Sequence, residues 1–164
     1  MLNRDLDKIG PEQKQLYSAL VEWRPEFKEY CKTEVSKNGE YNLLVELPSP
    51  TGDAYRNIVI WVEEGDISIE FGPWHTHESE MFETDEEGYY EDVTIIDLVK
   101  MIISNEIVYF IDIGGEKPFS DILNLKYKNA IASLLTDIYS SGEIDIRSWD
   151  GSQDKRVSLK DLTL

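Results

Sequence analysis

The sequence predicts an α+β fold: a single domain over residues 1–164 in which helices pack on a mainly antiparallel sheet. Two observations lead to this prediction. Segments with apolar residues three and four positions apart, typical of helices, occur in both halves of the chain. Between them, short apolar runs separated by turn-forming residues are typical of antiparallel strands. With 164 residues, the chain is long enough to bury roughly 70% of its unfolded surface.

The first helical pattern covers residues 11–35. Its apolar stripe consists of Leu16, Leu20, Trp23, Phe27, Tyr30 and Cys31. Pro25 lies inside the pattern, so we expect a kink or two consecutive helices. Cys31 is the single cysteine, which excludes an internal disulfide, and its position on the stripe predicts a buried thiol.

Three strands are predicted next, at residues 41–47, 56–63 and 66–71. The continuous apolar run at residues 58–62 indicates a central strand that is covered on both faces. The third strand alternates apolar with polar residues, which indicates a strand with one buried face. Together the three strands form an antiparallel meander.

The second half of the chain continues with helices and strands. Asp92 is a suitable N-cap for a helix over residues 93–104, and Asn105 is its expected stop. A strand over residues 106–113 follows. Ser120 or Asp121 then begins the longest helix, which reaches about residue 140, with a last hairpin at residues 143–149 and 155–159. The buried stripe of that helix is expected to consist of Leu123, Tyr127, Ala130, Ile131, Leu134, Leu135 and Ile138.

The charge of the chain is concentrated in one segment. The formal net charge is −17, and thirteen Asp or Glu but no Lys or Arg lie between Arg56 and Lys100. This segment therefore carries −13, and the rest of the chain, with sixteen basic and twenty acidic residues, carries −4. Such a field repels nucleic acid and anionic membranes and attracts basic proteins or cations. Without a signal peptide or a transmembrane stretch, we expect a cytoplasmic protein.

Both histidines lie in one short motif over residues 70–78. His75 and His77 are two residues apart, so in extended backbone their rings point to one face, and Glu70, Glu78 or Glu80 could complete a metal site. One alternative is therefore a metal-binding protein or metal-dependent enzyme. In a purely structural interpretation, one imidazole packs beside Trp74 and the other forms a hydrogen bond with the backbone or with a carboxylate. We predict no metal and no cofactor.

No catalytic signature accompanies the motif. The chain has neither a phosphate-binding Gly-rich loop nor a serine-nucleophile motif, and Cys31 lies on a predicted core stripe. Carboxylates on a polar loop are expected to be solvated rather than a matched acid–base pair. We therefore predict a protein that is not an enzyme.

Aromatic residues lie in and beside the acidic segment. Aromatic anchors within a ring of charge are typical of protein–protein hot spots. Trp74 either points outward as such an anchor or covers the end of the sheet, and we expect the outward direction. The tyrosines are either anchors or the apolar lead-in to the next helix. The predicted partner-binding residues are Trp74, His75, His77, Glu83, Asp85, Glu86, Glu87, Tyr89 and Tyr90.

The stretch over residues 67–77, Ile-Ser-Ile-Glu-Phe-Gly-Pro-Trp-His-Thr-His, resembles a motif of small bacterial immunity proteins from polymorphic and contact-dependent toxin systems. The resemblance implies a protein that binds and blocks a cognate toxin domain, often a nuclease. It implies no catalytic residues. The charge argues in the same direction, because nuclease active sites are basic and an acidic surface can occupy them. An acidic interaction domain for another partner is the remaining alternative.

Overall fold

The computed structural model describes residues 5–113, 119–128 and 143–158, which form an α+β fold dominated by antiparallel strands. The helices and strands in this part of the chain are α1 (Pro11–Trp23), a 3₁₀ helix (Pro25–Tyr30), β1 (Cys31–Val35), β2 (Tyr41–Leu47), a short 3₁₀ helix (Ala54–Arg56), β3 (Ile58–Glu63), β4 (Asp66–Phe71), β5 (Trp74–His77), β6 (Ser79–Glu83), β7 (Tyr90–Thr94), α2 (Ile95–Ile103), β8 (Ile107–Asp112), β9 (Phe119–Asn124), β10 (Glu143–Arg147) and β11 (Lys155–Ser158).

The predicted meander is confirmed and forms the centre of a larger sheet. Strands β1 to β5 are arranged in chain order, each antiparallel to its neighbour. Strand β3 is central, as expected. Its burial alternates along the strand, however, with Ile58, Ile60 and Val62 buried and Val59 and Trp61 half-buried. Within the described residues, the face of β3 that carries Val59 and Trp61 is therefore covered in part, whereas full cover was predicted.

Helix α1 begins at Pro11, which needs no hydrogen-bond partner for its nitrogen at a helix start. The Gly10 N–H donates to the Gln13 side chain at 3.0 Å, and the Gln13 amide donates to the Val62 carbonyl of β3 at 2.9 Å. The second bond fixes the buried Gln13 against the sheet.

The prediction that the helical segment reaches residue 35 is wrong, because Cys31–Val35 form strand β1. The buried Cys31 and Thr33 alternate with Lys32 and Glu34, so a two-residue period fits this stretch as well as a helical one. The expected burial of the Cys31 thiol is confirmed.

Helix α2 begins two residues later than predicted. Its N-cap is Thr94, whose side chain accepts from the Asp97 N–H, whereas Asp92 lies in β7 opposite Met81. The pairing of the two strands thus removes Asp92 from the cap position. The predicted end is confirmed, since Asn105 adopts a φ of 60° directly after the helix.

A second sheet has the order β11-β10-β8-β9. Strand β8 and the last hairpin agree with the sequence prediction. Phe119–Asn124, which we predicted as the start of the longest helix, instead form β9 and pair with β8. Leu123 and Tyr127 are buried as expected, and the other members of the predicted stripe lie outside the described residues.

The main core lies between the five-stranded sheet, the four-stranded second sheet and helices α1 and α2. The inner face of the five-stranded sheet, here the face that carries Ile60 and Phe71, packs in one cluster with apolar residues of α1 and α2 and with Tyr109 of β8. A smaller cluster on the opposite face of the second sheet contains Val108, Phe110, Leu123, Ile144 and Ile146. Each sheet therefore turns one face to the main core.

One ion pair fixes the loop after β2 to the last hairpin. The Arg56 guanidinium donates to both carboxylate oxygens of Asp154, at 2.9 and 2.7 Å, and to the Ser148 carbonyl at 3.1 Å. Burial alone would raise the pKa of the Asp154 carboxyl, but hydrogen bonds from Arg56 and from the Ser148 N–H hold the pKa below its usual value.

This pair predicts a loss of stability in acid. Because the folded-state pKa of Asp154 lies below its unfolded value, its contribution is complete above about pH 4 and disappears as the pH falls through the folded-state pKa. Asp154→Asn should lower the free energy of unfolding at pH 7 by roughly 2 kcal/mol. Asp53→Asn removes a more exposed carboxylate, 3.3 Å from the same guanidinium, and should cost well under 1 kcal/mol. Urea unfolding between pH 3 and 7 measures both, and equal losses would contradict the prediction.

Candidate functional site

The motif that contains both histidines forms a tight hairpin. Gly72 and Pro73 are the two turn residues between β4 and β5, and Phe71 pairs with Trp74 across the turn. Gly72 has a φ of 60°, which suits the first position of a type II′ turn. The turn thus consists of these two residues alone, and the histidines belong to a strand at the edge of the sheet.

The expected outward direction of Trp74 is wrong. Its side chain is 8% exposed and belongs to the main core cluster. Residues that flank a two-residue hairpin turn as a pair lie on the same side of the sheet, and Phe71 is fully buried. The pairing with Phe71 therefore directs Trp74 inward.

His75 and His77 point the other way, and both are exposed. The expectation that they share one face is confirmed, with 6.0 Å between the ring centroids. The His77 Nδ1 lies 2.8 Å from an Asp66 carboxylate oxygen. Within residues 5–113, 119–128 and 143–158, no group of three or more His, Cys, Asp or Glu is placed to hold a metal. In this part of the chain the two rings therefore lack the further ligands that a metal site needs.

The histidines lie on what we call the outer face, the face of the five-stranded sheet opposite the main core. The strand register places on it Lys32, Glu34, Asn42, Leu44, Glu46, Val59, Trp61, Glu63, Asp66, Ser68, Glu70, His75 and His77. Leu44, Val59 and Trp61 are absent from both core clusters, which agrees with this placement. The outer face carries five carboxylates and a single lysine.

The acidic segment after β5 forms a second surface. Strands β6 and β7 pair from Ser79↔Thr94 to Glu83↔Tyr90, and we call residues 79–94 the acidic hairpin. The Thr84 N–H donates to the Tyr89 carbonyl at 3.0 Å and closes the loop at its tip. This loop contains Asp85, Glu86 and Glu87, all exposed, and Glu83 precedes it half-buried. Four of the predicted partner-binding carboxylates are therefore brought together.

The acidic hairpin also exposes large apolar side chains. Met81 is 60% exposed, Tyr89 60% and Tyr90 58%. Phe82 and Val93 point the other way and are buried in the main core. The interpretation of the tyrosines as a buried lead-in to α2 is therefore wrong, because Tyr90 lies in β7 on the face that points away from the core.

The inner side of the acidic hairpin is attached to β9 and the residues after it. The Tyr127 hydroxyl donates to the Glu91 carboxylate, and the Lys126 ammonium lies 3.6 Å from the same group. Burial raises the pKa of the Glu80 carboxyl and that of the Asp121 carboxyl. Glu80 and Glu91 of the acidic hairpin and Asp121 of β9 are therefore half-buried and do not belong to the exposed surface of the hairpin.

Two residues of these surfaces were not predicted from the sequence. The sequence predicts that Trp61 lies in a strand covered on both faces and indicates no role for Met81. The alternation of burial along β3 depends on what packs against each face, which a continuous apolar run does not reveal. Met81 has no clear signal in the sequence, because single apolar residues are common on protein surfaces and only their grouping in space marks an interaction site.

Comparison of the chain with protein-family models, curated proteins and solved structures finds no match. Among the described residues there is no helix of the length and apolar character needed to cross a membrane.

Proposed function

We propose that the protein is an immunity protein that binds a cognate bacterial toxin domain with a basic active site and blocks it by occlusion. The acidic hairpin is the observation that carries this proposal. It combines a concentration of carboxylates with exposed apolar side chains, and a surface of this kind fits a basic partner with apolar anchoring sites. The sequence resemblance to immunity proteins supports the same conclusion.

Two physical effects support binding at the acidic hairpin. Removing the exposed surfaces of Met81, Tyr89 and Tyr90 from water favours association, at roughly 25 cal/mol per Å² before the costs of binding are subtracted. The carboxylates around them attract a basic surface from a distance and accelerate the encounter. A nuclease is the best-fitting target, because the site in which a nuclease holds the phosphate backbone of its nucleic-acid substrate is basic. Occupation of that site by the hairpin would exclude substrate without any reaction by this chain.

A growth-rescue experiment tests this function. Candidate nuclease toxin domains from the same genome would be expressed one at a time from an inducible promoter, each alone and together with this protein. For the cognate domain we expect growth arrest in the first case, growth in the second, and a 1:1 complex on gel filtration of the purified pair. Arrest that persists with every candidate despite soluble expression of this protein, together with no complex, would overturn the proposal.

The hairpin charge should control the association rate. Glu83→Gln, Asp85→Asn, Glu86→Gln and Glu87→Gln combined should lower the association rate constant roughly tenfold at low salt and change the dissociation rate constant much less. Raising the salt concentration to physiological levels should have a similar effect on the wild-type protein. Stopped-flow mixing with the toxin domain measures both rate constants.

A matched control removes the same charge elsewhere. Glu12, Glu22, Glu26 and Glu29 lie on α1 and the following 3₁₀ helix, and their combined change to Gln alters the net charge by the same amount. This control should leave the association rate within a factor of about two or three, because its charges lie outside the acidic segment. Equal effects of the two variants would show that net charge alone, and not the hairpin, steers the encounter.

A further inference from the structure

Trp23 and Trp61 are two of the three half-buried tryptophans, and they differ in what faces their rings. Trp23 has the Arg24 guanidinium 4.9 Å and the Lys100 ammonium 5.9 Å from its ring centroid. Trp61, in the middle of the outer face, has neither a cation nor another aromatic ring against it within the described parts of the chain. Its indole is half-buried, and among these residues neither a cation nor a ring stacks on it.

The strand register surrounds Trp61 with carboxylates. Its direct cross-strand partners are Leu44, which is apolar, and Ser68, which is small and uncharged. Glu46 on β2 and Asp66 and Glu70 on β4 occupy diagonal positions, which lie about 7–8 Å away in antiparallel sheets. Glu63 follows on the same face of β3. Trp61 is thus surrounded on the outer face by four carboxylates, and Asn42 occupies the remaining diagonal position.

Two of the four carboxylates already have partners. Glu46 forms an ion pair with Lys32, and Asp66 contacts the His77 ring. Glu63 and Glu70 are exposed, and in residues 5–113, 119–128 and 143–158 neither has an ion pair or a side-chain hydrogen bond. They lie on different strands on either side of Trp61. A cation above the indole would therefore have free carboxylates to two sides.

We propose that the outer face is a docking surface for an arginine-bearing basic segment of a protein partner, and that an arginine guanidinium of this segment stacks on Trp61 between Glu63 and Glu70. The identity of the partner as the toxin domain rests on the proposed function, but the site itself does not. Arginine fits better than lysine, because the planar guanidinium stacks on an aromatic ring while its N–H groups still donate to carboxylates in its plane. The acidic hairpin and the outer face are then two parts of one acidic binding region, joined by the chain at Glu78.

The test uses two synthetic peptides, oligo-arginine and oligo-lysine of nine residues each, titrated into the full chain by calorimetry at low salt. We expect oligo-arginine to bind more tightly than oligo-lysine. Trp61→Leu should weaken oligo-arginine binding roughly tenfold and remove most of the difference between the peptides. The Glu63→Gln/Glu70→Gln variant should weaken the binding of oligo-arginine by a similar factor, although the Trp61 indole is still present. The hairpin variant with Glu83, Asp85, Glu86 and Glu87 neutralised is the control, and it should retain the preference for arginine.

Nuclear magnetic resonance locates the bound peptide. Oligo-arginine should shift the Trp61 indole N–H resonance and the ring resonances of His75 and His77 in the wild-type protein. Shifts confined to the acidic hairpin, or an arginine preference that survives Trp61→Leu in folded protein, would overturn the proposal. Circular dichroism and the urea midpoint establish that each variant is folded before titration.

The same variants separate this proposal from the proposed function. If this protein rescues growth and Trp61→Leu rescues equally well with unchanged affinity for the toxin domain, the outer face is not the docking site and the immunity function stands. If rescue fails while oligo-arginine still binds at Trp61, the docking surface stands and the immunity function does not.

Discussion

Trp74→Ala is expected to lower the free energy of unfolding by roughly 3–5 kcal/mol and to leave partner affinity of the folded fraction unchanged. The side chain is 8% exposed, packs in the main core and pairs with the fully buried Phe71. Its removal would leave a cavity between the five-stranded sheet and its covering elements. Urea unfolding gives the stability, and titration below the unfolding transition gives the affinity.

His75→Ala is the matched control for Trp74→Ala, because the two residues are neighbours on β5 with opposite directions. His75 is exposed on the outer face, so its replacement should change the stability by less than about 0.5 kcal/mol. A Trp74→Ala protein that keeps its stability and loses affinity would show that this side chain is a binding anchor after all.

Gly72→Ala should lower the free energy of unfolding by roughly 3 kcal/mol, through a steric and a conformational effect. A Cβ atom at Gly72 would lie 2.7 Å from Cε1 of Tyr109, whose ring is buried and packs edge-on against Phe71. The φ of 60° adds the strain of a left-handed residue that carries a side chain. Chemical denaturation of the variant measures the sum of both effects.

Gly65→Ala separates the two effects. Gly65 occupies the turn between β3 and β4 with a φ of 76°, and a Cβ atom there would meet no other atom within 4 Å. Only the backbone strain remains, so we expect a loss of about 1 kcal/mol. If both glycine variants lose the same free energy, the contact with Tyr109 contributes nothing to the cost at Gly72.

The strands that the sequence predicts well are those with local signals. Strand β4 alternates strictly, and Glu64-Gly65 forms the turn before it, so its register against β3 follows from adjacent residues. The inward direction of Trp74 was also encoded locally, since a two-residue turn after the inward Phe71 places Trp74 on the same face. The acidic residues that follow favoured an outward interpretation, but they belong to the next hairpin.

The incorrectly predicted segments depend on distant partners. In β9, Ile122 and Leu123 are buried against different clusters on the two faces of the second sheet, so the apolar pattern shows no clear period of two. Pairing with β8 decides that structure, and the propensity of the segment does not. Similarly, the half-burial of Trp61 depends on what packs against the outer face of β3, which a single strand sequence does not specify.

The contact between Arg56 and Asp154 has a consequence for synthesis of the chain. A ribosome adds Arg56 well before Asp154, since the two are separated by 98 residues, and at about 5–20 residues per second the interval is on the order of 5–20 seconds. During this interval strands β2, β3 and β4 can pair, but the carboxylate of Asp154 has not yet been added to bind the Arg56 guanidinium. The nascent sheet therefore emerges with Arg56 beside the exposed Asp53 carboxylate, and the two-point ion pair with Asp154 forms only when translation of the chain has passed residue 154.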